Sequence, residues 1–184
     1  MRFLRTYRLF ESLRGRLRYL GPNPTADTIV TRTVNGEKQV LLVQRSKWAS
    51  AEPNKWSIPG GFVDTLSRPG NEWREGYETP LMAAKREVLE ETGLDLSNIP
   101  DDNFQLIGVY DSLERDPRNT EESWVKSHSF TVEIPDNMGD RVRGMDDAQD
   151  AKWFTIDELN QMSKQDFAFD HIDRLIELGL FGQR

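Results

Sequence analysis

The sequence predicts a mixed α/β layered domain. Three observations carry this. Short β-branched runs and helical patterns alternate along the chain in the order strands, helix, strands, helix. An Asn35-Gly36 pair joins two of the strands. One helix, near the middle, has both of its ends written into the sequence. A length of 184 residues suits one domain, and a compact chain of that size buries roughly 70% of its unfolded surface.

In chain order, Leu4, Tyr7, Leu9, Phe10, Leu13 and Leu17 are too irregular to separate helix from strand. Gly21-Pro22-Asn23-Pro24 reads as a turn that ends this segment. Thr28 to Val34 is a β-branched strand, and Asn35-Gly36 is the strongest short hairpin signal. Val40-Leu41-Leu42-Val43 returns, apolar on both faces and therefore central. Lys47 to Lys55 is a polar loop, and Trp56-Ser57-Ile58-Pro59 leads into Gly60-Gly61. Residues 65–77 are turn-rich and read as a loop. Thr79 fits an N-cap, Pro80 the first helical position, and Gly93 the position past a helix running to Thr92. Phe104 to Tyr110 and Val125 to Ile134 alternate as strands, with charged loops at 111–124 and 135–150. Ala151 to Phe154 is a short strand. Thr155 with Glu158 is a capping-box pattern for a helix from Ile156, and Phe169 to Leu180 reads as a last amphipathic helix.

Composition narrows the chemistry. With no cysteine, the chain has no disulfide, thiolate metal site or cysteine nucleophile. Two histidines argue against a His-rich zinc site, so any metal site is oxygen-rich and suits magnesium, manganese or calcium. No apolar run approaches the ~20 residues of a membrane span. Net charge is −7, unevenly spread. Residues 1–20 hold six arginines and one glutamate, a net +5, and the remainder carries a net −12. The basic stretch, 1–24 with its turn, has three readings: a segment pairing with the acidic body, an arm for an anionic ligand, or an organelle transit segment. The acidic body would repel nucleic acid, so neither nucleic acid nor membrane is an expected partner. The expected compartment is the cytoplasm, with the mitochondrion as the competing reading.

The helix after Thr79 is the informative segment. At ~100° per residue, Glu87, Glu90 and Glu91 fall within about 100° of one another. Like charges at that spacing repel, and a cation offsets the cost. Three carboxylates on one rigid turn suit a hard divalent ion that also bridges phosphates, although an acidic helix face can simply be solvated. Gly60-Gly61, lacking Cβ atoms, lets the backbone approach such an ion closely.

Glu78, seven residues, then Arg86-Glu87-Val88-Leu89-Glu90-Glu91-Thr92-Gly93-Leu94 resembles the Nudix hydrolase box, and Trp56-x-x-Pro59-Gly60-Gly61-Phe62-Val63-Asp64 is similar to the segment preceding it in that family. The resemblance implies a Nudix-type α/β/α sandwich with a mixed β-sheet spanning 1–184. It implies magnesium, with manganese as a substitute, held by Glu87, Glu90, Glu91 and the Gly60 carbonyl. It also implies a Glu78–Arg86 ion pair that orients the box, and hydrolysis of a diphosphate linked to a second moiety. The chain departs in one respect: sixteen residues separate Gly61 from Glu78 where the family usually has five, so 65–77 carries an insertion, either surface decoration or a cover over the site through Trp73 or Arg74.

Asp116-Pro117-Arg118-Asn119-Thr120 with Trp124 resembles a segment of mitochondrial-type ADP-ribose pyrophosphatases and of the Nudix-like domain of melastatin-type cation channels; Arg14-Gly15-Arg16, Gly21-Pro22-Asn23-x-Thr25 and Val30-Thr31-Arg32 look like the same subgroup. This implies ADP-ribose, cleaved to AMP and ribose 5-phosphate, as the small-molecule substrate. Another nucleoside diphosphate derivative and a non-catalytic ADP-ribose sensor are the alternatives. Arg118 can grip phosphate with its guanidinium fork, Asp116 can accept ribose hydroxyls, and Asn119, Arg32 and His171 are further candidate contacts. The general base is open among Glu91, Asp146, Asp147 and Asp150. His128 and Trp124 read as structural. Oligomeric state is not legible.

Overall fold

The structure, a computed structural model, describes residues 21–64 and 78–182. The basic segment with Arg14-Gly15-Arg16, and the 65–77 insertion with Trp73 and Arg74, lie outside them.

Among the described residues seven strands form a mixed sheet. Strand β1 (Gly21–Val34) runs antiparallel to β2 (Glu37–Arg45), and the Asn35-Gly36 turn between them has φ of 51° and 82°, the left-handed pair that a two-residue hairpin requires. β2 is central as expected: it also pairs with β3 (Trp56–Ser57) and β7 (Ala148–Thr155). β1 carries β4 (Gly60–Phe62) on one edge and the parallel β6 (Ser123–Glu133) on the other, and β5 (Gln105–Tyr110) closes beyond β6.

Alternation in the central strands distributes the core to two faces. Ala26, Val30 and Leu41 pack against Ala83, Ala84 and Val88 of helix α1 (Pro80–Thr92). Ile29, Val40 and Leu42 face the other way, against Leu159 of α2 (Ile156–Gln161) and Ile172 and Leu175 of α3 (His171–Glu177). Each such Leu or Ile contributes about 1.5–3 kcal/mol by burial. The result is the expected α/β/α sandwich. Among the described residues no helix is long and apolar enough to cross a membrane.

Two expectations fail locally. Gly21-Pro22-Asn23-Pro24 is not a turn: it opens β1, paired in parallel with residues 123–126. Proline is tolerated there because β4 begins its pairing only at Thr25, so at the strand's start one side needs no N–H donor. The last helix is shorter than Phe169 to Leu180. Phe169 sits at φ 53°, outside helical space, and the helix starts only at His171.

Candidate active site

Helix α1 is placed by its ends. The Thr79 hydroxyl accepts from the Met82 N–H at 3.2 Å, Pro80 occupies the first turn, and Gly93 ends the helix at φ 75°. Its C-terminal carbonyls are taken up from outside: Glu91 O accepts from Met145 N at 2.9 Å and Thr92 O from Arg143 N at 3.2 Å. These bonds bring the 143–148 loop, and Asp147 with it, to the helix. The buried stripe of α1 includes Glu87 and Glu91 as well as the alanines.

Those two carboxylates line a cavity of about 550 Å³. Both glycines of β4 are required by close approach. A Cβ on Gly61 would stand 2.6 Å from the Glu87 carboxyl, and one on Gly60 would collide with Asp27 and the Ala26 carbonyl. With no Cβ in the way, Gly60 donates its N–H to Glu91 Oε2 at 2.9 Å. Burial, the charge of Glu87 and the charge of Asp147 push the Glu91 carboxyl well above the usual carboxylate range; the Gly60 N–H and Arg45 oppose them.

Arg86 is the hub behind this wall. It bonds Glu78 through Nε at 2.7 Å and Nη2 at 2.9 Å, Glu87 at 2.6 Å, Glu90 at 3.0 Å and the Phe62 carbonyl at 2.9 Å. Burial works against its charge, but Glu78 and Glu87 outweigh that and hold it protonated. Glu78 also accepts from Asp64 N at 2.5 Å, so the ion pair fastens β4 to α1 despite the sixteen-residue spacing. Glu78, Arg86 and Glu90 do not line the cavity; the structure brings two of the four box glutamates, Glu87 and Glu91, to it.

The same cavity also carries basic side chains. Arg118, expected from the sequence, is there, and so is Arg45, which was not. Asp116 takes Arg118 Nε at 2.9 Å and Nη2 at 2.7 Å, and accepts the Arg118 backbone N–H at 2.8 Å. Burial would raise the Asp116 carboxyl, but these bonds and the Arg118 charge hold it below its ordinary value. With three hydrogen bonds from Arg118, Asp116 orients that arginine, and it also lines the cavity. Arg45 donates to the Ala51 carbonyl at 3.1 Å, and burial together with the Arg118 charge depresses its pKa. His171 lines the cavity, buried, its Nδ1 accepting from Ile58 N at 3.0 Å; burial lowers its pKa. That bond requires the neutral ring with its proton on Nε2.

Two candidate contacts are elsewhere. Arg32 lies outside the cavity, bonded to Gln39 at 2.9 Å, Met138 O at 2.8 Å and Asp140 at 2.9 Å, and stacked 4.4 Å from the Trp153 ring. Asn119 ties its own loop, donating to Ser112 O at 3.2 Å and accepting from Val125 N at 2.8 Å. His128 is half-buried, beside the Thr25 carbonyl at 3.3 Å, and outside the cavity, as a structural histidine would be. Asp146 and Asp147 line the cavity; Asp150 does not. Sequence reading missed Arg45, Phe169 and Asp27 in the lining. For Arg45 a signal exists: it is the first charged residue after the apolar run of β2.

Among the described residues no three acidic or histidine side chains converge tightly enough to cage an ion alone. Two buried carboxylates facing one cavity still fit magnesium, which is held by one or two carboxylates together with substrate phosphates.

Residues 23–175 match the NUDIX domain family. The ADP-ribose pyrophosphatase of Methanocaldococcus jannaschii is 33% identical over 155 residues, covering 83% of this chain and 70% of that protein. The mitochondrial ADP-ribose pyrophosphatase of Rattus norvegicus is 29% identical over 171 residues, covering 79% and 45%. In fold, the chain is similar to the NUDIX domain of Shewanella oneidensis NrtR complexed with ADP ribose, with a TM-score of 0.65 and 21% identity over 88% of each chain. The chain spans about half the length of several of the curated relatives it matches.

Proposed function

The chain belongs to the NUDIX family and is a Nudix hydrolase, and from that premise we propose that it hydrolyses ADP-ribose to AMP and ribose 5-phosphate with magnesium. One observation carries the reading: a single cavity of about 550 Å³ sets Glu87 and Glu91 against Arg45 and Arg118. That volume suits a nucleotide-sized ligand. Its two walls suit a polyanion that must be both gripped and attacked.

Glu87 and Glu91, with manganese as the substitute ion, would hold magnesium; the Gly60 carbonyl and Glu90, on the same turn, are further proposed ligands. The ion, when bound, neutralises phosphate oxygens and makes water a stronger nucleophile. The chain's own residues do the rest. Arg118, locked by Asp116, and Arg45 bind and orient the diphosphate. Glu91, in the cavity beside Glu87 and Asp147, is the proposed acceptor of the attacking water's proton. Water oxygen bonds to one phosphorus, the bridging P–O bond breaks, and the leaving phosphate keeps the electron pair. Neutral His171 offers its Nε2 proton to a phosphate or hydroxyl oxygen. Arg86 and Glu78 position the glutamates without touching substrate.

The sensor reading has one point in its favour, since the NUDIX domain of NrtR is solved with ADP ribose bound. Retention of Glu87 and Glu91 in the cavity favours turnover. Incubating the protein with ADP-ribose, with and without magnesium, and identifying products decides. Magnesium-dependent AMP and ribose 5-phosphate support the proposal. Saturable binding without turnover makes the domain a sensor, and neither result moves the substrate to another nucleoside diphosphate derivative. The single-domain extent over 1–184 and a cytoplasmic location belong to the same proposal.

A further inference from the structure

Phe169 adopts φ 53°, a backbone conformation in which a bulky L-residue is a genuine outlier. The chain is pinned on both sides of it. Ala168 N donates to Trp56 O at 2.8 Å, Phe167 bridges to Trp56, and His171 N donates to Ala168 O at 3.3 Å. A glycine or asparagine would hold this turn with less strain. The phenyl ring is nonetheless in the cavity wall, half-buried. The Arg45 guanidinium lies over it at 4.9 Å and the Arg118 guanidinium at 5.4 Å from the ring centroid. The His171 ring is 5.4 Å away. Two cations are thus gathered at one π-face system. They repel each other, and Asp116 pairs with Arg118 through two hydrogen bonds. The other charges acting on Arg45 are those of Asp147, Glu91 and Asp116.

We propose that Phe169 is a positioning residue, held in strained backbone so that its ring gathers Arg45 and Arg118 into a paired guanidinium cradle for the two phosphoryl groups of the substrate. This rests on the diphosphate reading above. The ring's electron-rich faces attract both cations and set their spacing in advance, so binding does not have to order two long side chains. The strain is tolerated because the hydrogen bonds on either side over-determine the turn.

The test uses Phe169→Leu, which keeps apolar bulk without a π-face, Phe169→Gly, which suits the backbone, and Phe169→Tyr, which keeps the face. Methylenediphosphonate, a diphosphate that does not hydrolyse, is titrated into each protein by calorimetry, and KM and kcat for ADP-ribose are measured beside it. Leu and Gly should each weaken diphosphonate binding about tenfold, as two lost cation–π contacts predict. Their loss with ADP-ribose should fall on KM rather than kcat, and Tyr should restore both. Gly should melt close to the wild type, since relief of strain offsets the lost ring contacts. Unchanged diphosphonate binding in Leu and Gly overturns the inference. So does a loss confined to kcat, or a wild-type protein that does not bind the diphosphonate. If the wild type binds it, the variants lose it, and ADP-ribose is not cleaved, then the substrate reading fails and the cradle stands.

Discussion

Glu91 sits where three influences meet: burial, the neighbouring Glu87 and the 143–148 loop that delivers Asp147. Its charge is costly in the metal-free protein, which is what a residue kept for chemistry looks like. Glu91→Gln preserves the acceptor for the Gly60 N–H and removes the charge. Turnover of ADP-ribose should fall by two or more orders of magnitude, while the metal-free melting temperature rises; unchanged turnover would take Glu91 out of the reaction. His171 gives a pH prediction. Its folded pKa is lowered by burial, so the neutral ring is favoured in the fold. Stability from this group is complete above the unfolded pKa of about 6.5 and is lost as pH falls below it, because the unfolded chain takes the proton first. His171→Asn keeps an acceptor where Nδ1 stands. Its unfolding free energy between pH 7 and 5 should slope less than the wild type's by up to one proton, about 1.4 kcal/mol per pH unit. Burial also lowers the His128 pKa, so the difference between the two slopes is the readout.

Between elements, the site depends on how tightly β4 presses on α1. Gly61→Ala would drive a methyl group into the Glu87 carboxyl, which Arg86 holds at 2.6 Å. Overpacking of this kind costs about 1–3 kcal/mol, and shifting Glu87 should lower kcat at least tenfold. Urea melts and steady-state kinetics on the one variant check both, and normal kcat would show that Glu87 can move without consequence. This contact also shows what the sequence made legible. Thr79, Pro80 and Gly93 announced the helix, the Nudix box announced Glu87 and Glu91, and Asn35-Gly36 announced the hairpin, because each is a local constraint acting within a few residues. Arg32 and Asn119 stand outside the cavity lining, held by other contacts. Asp140, the partner of Arg32, is set by tertiary packing that no short motif encodes, and Asn119 is used in closing its own loop through Ser112 and Val125. Phe169 was hidden because a helix pattern covered it, and its left-handed turn is imposed by Trp56, over a hundred positions away.

At the scale of the whole molecule, the carboxylate wall and the arginine wall belong to different parts of the sandwich. Glu87 and Glu91 come from α1 on one face of the sheet; Arg45 ends β2, Arg118 follows β5, and His171 begins α3 on the other face. A ligand that touches both walls therefore ties the layers together and, binding only the folded state, must stabilise it by mass action. At a hundredfold excess over Kd that linkage is about 2.7 kcal/mol, and for a chain of this size each kcal/mol moves the melting temperature by about 2–4 °C. Magnesium with the non-hydrolysable α,β-methylene analogue of ADP-ribose should raise the melting temperature by about 5–10 °C. Magnesium alone engages only the α1 wall and should raise it less. Glu91→Gln should abolish the magnesium shift while retaining part of the analogue's, because the arginine wall is intact. Arg118→Ala should do the reverse, leaving the magnesium shift and losing most of the analogue's. Equal responses from the two variants would mean that one wall, not two, holds the ligand, and the division of labour between cation site and phosphate grip would be wrong.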